Sequence, residues 1–361
     1  MKPPSRGSSA LTTSLSPMTS TTVQRCGGHI TLIFSIDKSS TLMRGQGSRG
    51  AGFSIEHGVE VEASMHRADL GDAWKMSGIA PDRPRPLHEP RPPTISVVDM
   101  NGEHLENTEL YLDYIEACRE ATLLRPEERV DVKVRLECPT SQGFGMSAAG
   151  LIGLGKAVHA LTGRGRLVQY LKIAHRIERV HGAGLGDVLG ASVGGVELRR
   201  APGAPGWPGE AVGFACEAKV LLIWNPHEER HTSIYIDDPE WQRSITSAGE
   251  ACVEVLASSV WQAERWPELL TQSRRFATAS GMLEEDDRAR LYRSVLGAVQ
   301  SIEAQASLAV RLCMLGSSVA VVPRRLEETV DDEVLQAIAA NAEEHGFSTM
   351  LTSISGLNPQ P

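Results

Sequence analysis

No stretch of this sequence approaches the ~18 uninterrupted apolar residues that a membrane-crossing helix needs, which removes a spanning segment from consideration. Nor is there a surplus of basic charge. Lys and Arg number 36 against 45 Asp and Glu, a net charge of −9, which argues against a general nucleic-acid binder. An anionic substrate must therefore be held by a local basic cluster and not by the field of the whole molecule. Cysteine is sparse and scattered: Cys26, Cys118, Cys138, Cys216, Cys252 and Cys313 form no C-x-x-C pair. That pattern suits neither a disulfide framework nor a structural zinc site and fits reduced thiols in a cytoplasmic protein. No internal repeat is visible, and Lys2 and Arg6 are not followed by the apolar run of a signal peptide.

What is present is an ordinary globular chain, 361 residues with 41% apolar and 22% charged. That length suggests about two domains at roughly 150 residues each. Residues 1–24 are rich in Ser and Thr and too poor in apolar groups to offset their ordering entropy, so a disordered tail is expected there. Strand patterns follow at 29–36, 52–65, 94–100 and 130–139, with a Pro- and Arg-rich loop over 74–93 and helical spacing over 107–122. Helices are expected at 147–161 and 167–181, and a short one from Asp187. The Pro/Gly break APGAPGWPG (201–209) marks a boundary between domains of 25–210 and 211–361. Beyond it, 217–224, 231–236, 318–322 and 347–352 read as strands, with helices between 236 and 318 and near 326–344. This mixed order implies two α+β domains.

Two motif matches carry little. HEERH (227–231) fits the H-E-x-x-H zinc pattern, but Asn225-Pro226 precedes it and β-branched residues follow, which suits a loop better than a metal-binding helix. GLIGLGKA (150–157) lacks the hydroxyl residue that ends a P-loop and falls inside an expected helix.

The informative glycines lie elsewhere. PTSQGFGMSAAG (139–150) joins a strand to a helix. Gly143 and Gly145 permit backbone angles that turn several N–H groups one way, and the helix start adds its dipole, a combination suited to phosphate. The same residues also make an ordinary glycine turn with Ser147 as N-cap. Downstream, AHRIERVHGAGLGDV (174–188) places His175 and Glu178 on one helix face and lets a glycine turn carry Asp187 back toward Glu178. Two such carboxylates can divide the labour of holding Mg2+ and orienting or deprotonating a hydroxyl. A solvated helix charge and a helix cap are the plainer alternatives.

Taken with GGHIT (27–31), GSRGAG (47–52), GGVELRR (194–200) and MLGSSVAV (314–321), these segments resemble, in order, the archaeal-type pantoate kinase family within the GHMP kinase superfamily. Phe144 and Met146 depart from the superfamily's usual Leu and Ser in its phosphate motif. The resemblance implies a GHMP kinase fold, with an N-terminal domain like ribosomal protein S5 domain 2 and a ferredoxin-like C-terminal domain. It implies ATP and Mg2+ as cofactors, pantoate as the small-molecule substrate and a homodimer. By resemblance, Gly143, Phe144, Gly145, Met146, Ser147, Ala148 and Ala149 bind ATP, and Ser147 and Glu178 hold the metal. Asp187 acts as base. Ser48, Arg49, His175 and Arg199 bind the substrate, Arg suiting a carboxylate through its two-pronged donor fork. Another small hydroxy acid (mevalonate- or shikimate-like), a non-catalytic ligand-binding protein of the same fold, and a zinc hydrolase using HEERH are the competing readings.

Overall fold

The structure, a computed structural model, describes residues 19–67, 92–106, 108–228 and 233–359. The loop expected at 74–93 lies almost wholly outside them, as do residues 1–18 of the expected tail. Residues 19–24 of that tail are instead the start of strand β1 (Thr19–Phe34), paired against the far end of β2 (Gly50–Arg67). Three Thr and one Val among these six residues make a serviceable edge strand once a long partner is present, which composition alone does not show.

β2 organises the first sheet. One of its edges takes β1 along the whole length. The other takes β6 (Val196–Ala201) over Gly50–Phe53 and β5 (Glu128–Leu136) over Val59–Arg67. β3 (Ile95–Val98) and β4 (His104–Leu105) extend the sheet beyond β5, and β7 (Glu210–Phe214) extends it beyond β6. Helices α1 (Glu109–Glu120), α2 (Met146–Thr162), α3 (Leu167–Val180) and α4 (Asp187–Val193) belong to this half. α2 lies close because its glycines leave room: a Cβ at Gly150 would sit 2.2 Å from the Tyr111 hydroxyl, and one at Gly155 2.4 Å from that of Tyr114.

The second sheet has the order β11-β8-β10-β9, from β8 (Lys219–Trp224), β9 (Leu308–Cys313), β10 (Ser318–Pro323) and β11 (Ser348–Ser353). Helices α5 (Ser233–Asp237), α6 (Pro239–Ala257), α7 (Trp266–Ala279) and α8 (Asp286–Ser301) separate β8 from β9, and α9 (Asp332–Glu344) precedes β11. All pairs are antiparallel, and the path is the split βαβ arrangement of ferredoxin-like domains. The first sheet thus runs to Phe214 and the second begins at Lys219, a few residues past the Pro/Gly break. The strand expected at 231–236 is not formed: Ser233–Asp237 is a helical turn that buries Tyr235 and Ile236, and the preceding residues lie outside the described set. Asn225–Glu228, where HEERH begins, is a turn.

One apolar core is continuous through both sheets. Phe34 of β1 meets Phe276 of α7 edge-on at 5.5 Å, and Phe53 of β2 meets Trp266 at 6.1 Å. No helix among the described residues is long and apolar enough to cross a membrane.

Candidate active site

The segment after β5 delivers the chain to a helix start. Gly143 and Gly145 have φ of +76° and +67°, left-handed values that favour glycine. Gly145, not Ser147, occupies the N-cap position of α2, and no side chain caps the helix. The first-turn N–H groups therefore remain available beside Ser147, which is half-buried in a cleft of about 550 Å3. Met146 also faces this cleft, while Ala148 and Ala149 are buried beneath it. The Phe144 ring turns inward, edge-on to Trp224 at 5.8 Å, and its carbonyl accepts the His29 N–H at 3.0 Å. Val97, Leu105, Leu110, Tyr111 and Leu136 give the other end of the cleft an apolar lining.

The second sheet closes the loop from behind. A Cβ on Gly143 would stand 2.6 Å from the Met314 carbonyl, and one on Gly316 2.1 Å from the Gln142 carbonyl. Ser318 Oγ donates to the Gln142 carbonyl at 2.5 Å and Met314 N–H to that of Thr31 at 3.0 Å. The MLGSS turn is thus packed backbone to backbone on the loop at the helix start.

Asp187 begins α4 and lines the same cleft, its side chain 16% exposed. Its Oδ1 accepts from Thr31 Oγ1 at 3.0 Å and from His29 Nδ1 at 2.9 Å. The other ring nitrogen of His29, Nε2, lies 3.0 Å from Glu197 Oε1. A neutral imidazole has one N–H and cannot donate to both carboxylates, so with both carboxylates ionised the two contacts are met by the imidazolium. Burial opposes that charge most strongly, but the hydrogen bonds and charges of Asp187 and Glu197 outweigh it and raise the His29 pKa. Burial likewise works against ionised Asp187; His29, Arg199 and Thr31 reverse it and hold the carboxyl below its usual range.

Glu178 is the opposite case. It is wholly buried, and among the described residues neither oxygen makes a hydrogen bond of good geometry, the Val188 N–H being its nearest donor. Burial first, then the Asp187 charge, push its pKa up to about 8, beyond what the Val188 N–H and the Arg179 charge can offset. The two carboxylates meet across Gly184, where a Cβ would lie 2.6 Å from Glu178 Oε1 and 2.8 Å from Asp187 Oδ2.

Of the four residues expected to bind substrate, two reach this region. Arg199 is buried on β6, its Nη2 donating to the Ile33 carbonyl at 3.1 Å and its guanidinium packed on Gly186. Ser48 borders the same Gly186, although its hydroxyl donates to the Arg49 carbonyl at 2.9 Å. Arg49 does not: its guanidinium is taken up by Glu250 and Glu254 of α6 and by the Arg200 carbonyl. Nor does His175, whose Nε2–H lies 3.0 Å from the Gln46 carbonyl and 3.3 Å from that of Met43. Burial lowers its pKa to about 4, so it is a neutral tether for the 43–46 turn. His29, Thr31 and Glu197 are the members that residue-by-residue reading missed. Their signal was the retention of GGHIT and GGVELRR, and β1 shifts register on each side of this pair, between Gly27 and His29 and between Thr31 and Ile33.

Residues 110–195 match the model of the GHMP kinases N terminal domain. The pantoate kinase of Thermococcus kodakarensis is 30% identical over 66% of this chain and 69% of its own length, and that of Methanocaldococcus jannaschii 25% identical over 72% and 80%. A solved phosphotransferase related to the CoA biosynthesis pathway superposes with a TM-score of 0.70 at 22% identity, covering 94% of this chain and 97% of that one.

Proposed function

The chain belongs to the pantoate kinase family of the GHMP kinases, and on that premise we propose that it transfers the γ-phosphoryl group of ATP to the terminal hydroxyl of pantoate, giving 4-phosphopantoate for coenzyme A synthesis. The observation that carries the reading is that the uncapped helix start at Ser147 and the ionised Asp187 open on one cleft. Phosphoryl transfer needs little beyond positioning and charge neutralisation, and both are provided here. In this reading the phosphates lie on the 143–147 backbone and the nucleoside extends toward Val97, Leu105 and Leu136. Arg199 and Ser48 recognise the carboxylate end of the substrate.

Mg2+ fits the donor set. Glu178 is a buried carboxylate without a well-formed hydrogen bond among the described residues, and Mg2+ is commonly held by one or two carboxylates plus phosphate oxygens and water. Ser147 and Glu178 would hold it, and when bound it neutralises charge building on the transferred group. Asp187 accepts a hydrogen bond from the acceptor hydroxyl and aims it. With a carboxyl below its usual range it is a weak base, which suits a transition state in which the proton leaves late. The homodimer implied by the family likeness belongs to this reading.

A coupled assay on the purified chain tests the proposal against a panel of small hydroxy acids. Magnesium-dependent ATP consumption is expected with D-pantoate and little with mevalonate or shikimate. Equal turnover of pantoate and mevalonate, or none with pantoate, overturns it.

A further inference from the structure

We propose that His29 is a positioning residue for phosphoryl transfer: clamped as an imidazolium between Asp187 and Glu197, it fixes one oxygen of the Asp187 carboxylate and leaves the other to the acceptor hydroxyl. The inference deepens the kinase reading and rests on it for the role of Asp187.

The geometry is closed on every side. The His29 side chain is inaccessible to solvent. A Cβ at Gly190 of α4 would lie 2.4 Å from Nε2, and one at Gly145 3.0 Å from the His29 backbone, so α4 and the loop before α2 pack their backbones directly on His29. The groups facing it come from four elements: Thr31 of β1, Glu197 and Arg199 of β6, Asp187 of α4, and Glu178 of α3, whose interaction with the ring is purely charge on charge. Three of these are carboxylates and one is a cation. Arg199 Nε lies 3.4 Å from the Glu197 oxygen that His29 also holds, and its Nη2 donates to Thr31 Oγ1 at 3.4 Å. Two paths therefore converge on Asp187 Oδ1, Glu197–His29 and Arg199–Thr31. Oδ2 carries no hydrogen bond from the described residues and lies beside Gly184, on a side chain that lines the cleft.

The arrangement has a chemical purpose that simple packing lacks. A carboxylate with both oxygens free rotates and shares its hydrogen bonding. One with Oδ1 saturated presents a single oxygen at a fixed angle, and misplacement by about 1 Å can cost ~10²-fold in rate. Glu197 matters because it keeps the ring charged. Without it, the imidazole has one fewer reason to hold its second proton, and the Nδ1 donor to Asp187 can be lost at alkaline pH.

Two measurements on the full chain test this. The first is nitrogen-15 NMR of histidine-labelled protein without substrate. One buried histidine should show both ring nitrogens protonated at pH 7.5, and Glu197→Gln should move its titration to lower pH. The second is the pH profile of kcat. Glu197→Gln should shift the alkaline limb toward neutrality with KM for ATP unchanged. His29→Asn, which keeps a donor for Asp187 but not the charge, should lower kcat by ~10²-fold. A neutral His29 at pH 7.5, or a folded Glu197→Gln protein with the wild-type profile, overturns the proposal. The spectrum is recorded without substrate, so its outcome stands whichever hydroxy acid the cleft accepts.

Discussion

At the scale of single residues, the decisive contrast is between two carboxylates that meet across Gly184. Asp187 is ionised because His29, Arg199 and Thr31 serve it, and Glu178 is held near 8 because nothing adequate does. Asp187→Asn keeps size and hydrogen bonding but removes the charge. The variant should fold and bind ATP with turnover lowered at least ~10²-fold, the low end for losing a proton acceptor. Near-normal turnover in a coupled assay would reduce Asp187 to a structural partner of His29 and Thr31. Ser147, Glu178 and Asp187 were legible in the sequence because glycines punctuate the chain on either side of them. His175 stands differently: helical spacing puts it on the Glu178 face, and in the structure its ring donates to the 43–46 turn. The His29–Glu197 bridge spans 168 positions and exists only through the β1–β2–β6 register, which no local pattern displays.

At the scale of elements, strands and helices with strong periodicity stand where the spacing put them. β5, α2, α3 and β10 shift by only a residue or a few at their ends. The failure at 231–236 is instructive. Its β-branched residues favour a strand, yet Tyr235 and Ile236 are buried by a helical turn leading into α6, where Tyr235 meets Trp241 edge-on at 5.3 Å. Packing overrode propensity. The MLGSS turn packs on the 142–143 backbone and leads straight into β10. Because the atoms facing Gly316 are backbone, Gly316→Ala must displace the 142–143 segment. KM for ATP should rise about tenfold, equivalent to about 1.4 kcal/mol of binding. An unchanged KM would show that the loop holds its shape without the turn.

The whole molecule has an unusual proton balance. Above pH 6.5 two groups hold protons in the folded chain to higher pH than in the unfolded chain. They are Glu178, raised to about 8 by burial and Asp187, and His29, raised by its carboxylates against the effect of burial. Their stabilising contributions are complete below the unfolded values and fade as pH rises through the folded ones, each at up to about 1.4 kcal/mol per pH unit. His175, lowered to about 4 by burial, has the opposite sign: its contribution is complete above 6.5 and fades as pH falls. From 4.5 to 6.5 it offsets Glu178. The Tm of the ligand-free protein should therefore change little from pH 5 to 6.5 and fall from 6.5 to 8, with Glu178→Gln removing part of the fall. Calorimetry showing a Tm that climbs over that alkaline range would contradict these assignments. The mixed α+β class was visible in the order of elements. The continuous core was not, since Phe34 and Phe276 become neighbours only when the sheets pack.

The seam where Gly316 sits on Gln142 and Gly143 governs traffic through the cleft. A molecule whose halves swing like jaws needs a hinge line free of such interlocking, and here any swing would first dismantle the loop at the start of α2. If that loop holds the phosphates, as proposed, nucleotide exchange has to proceed with the two sheets kept together.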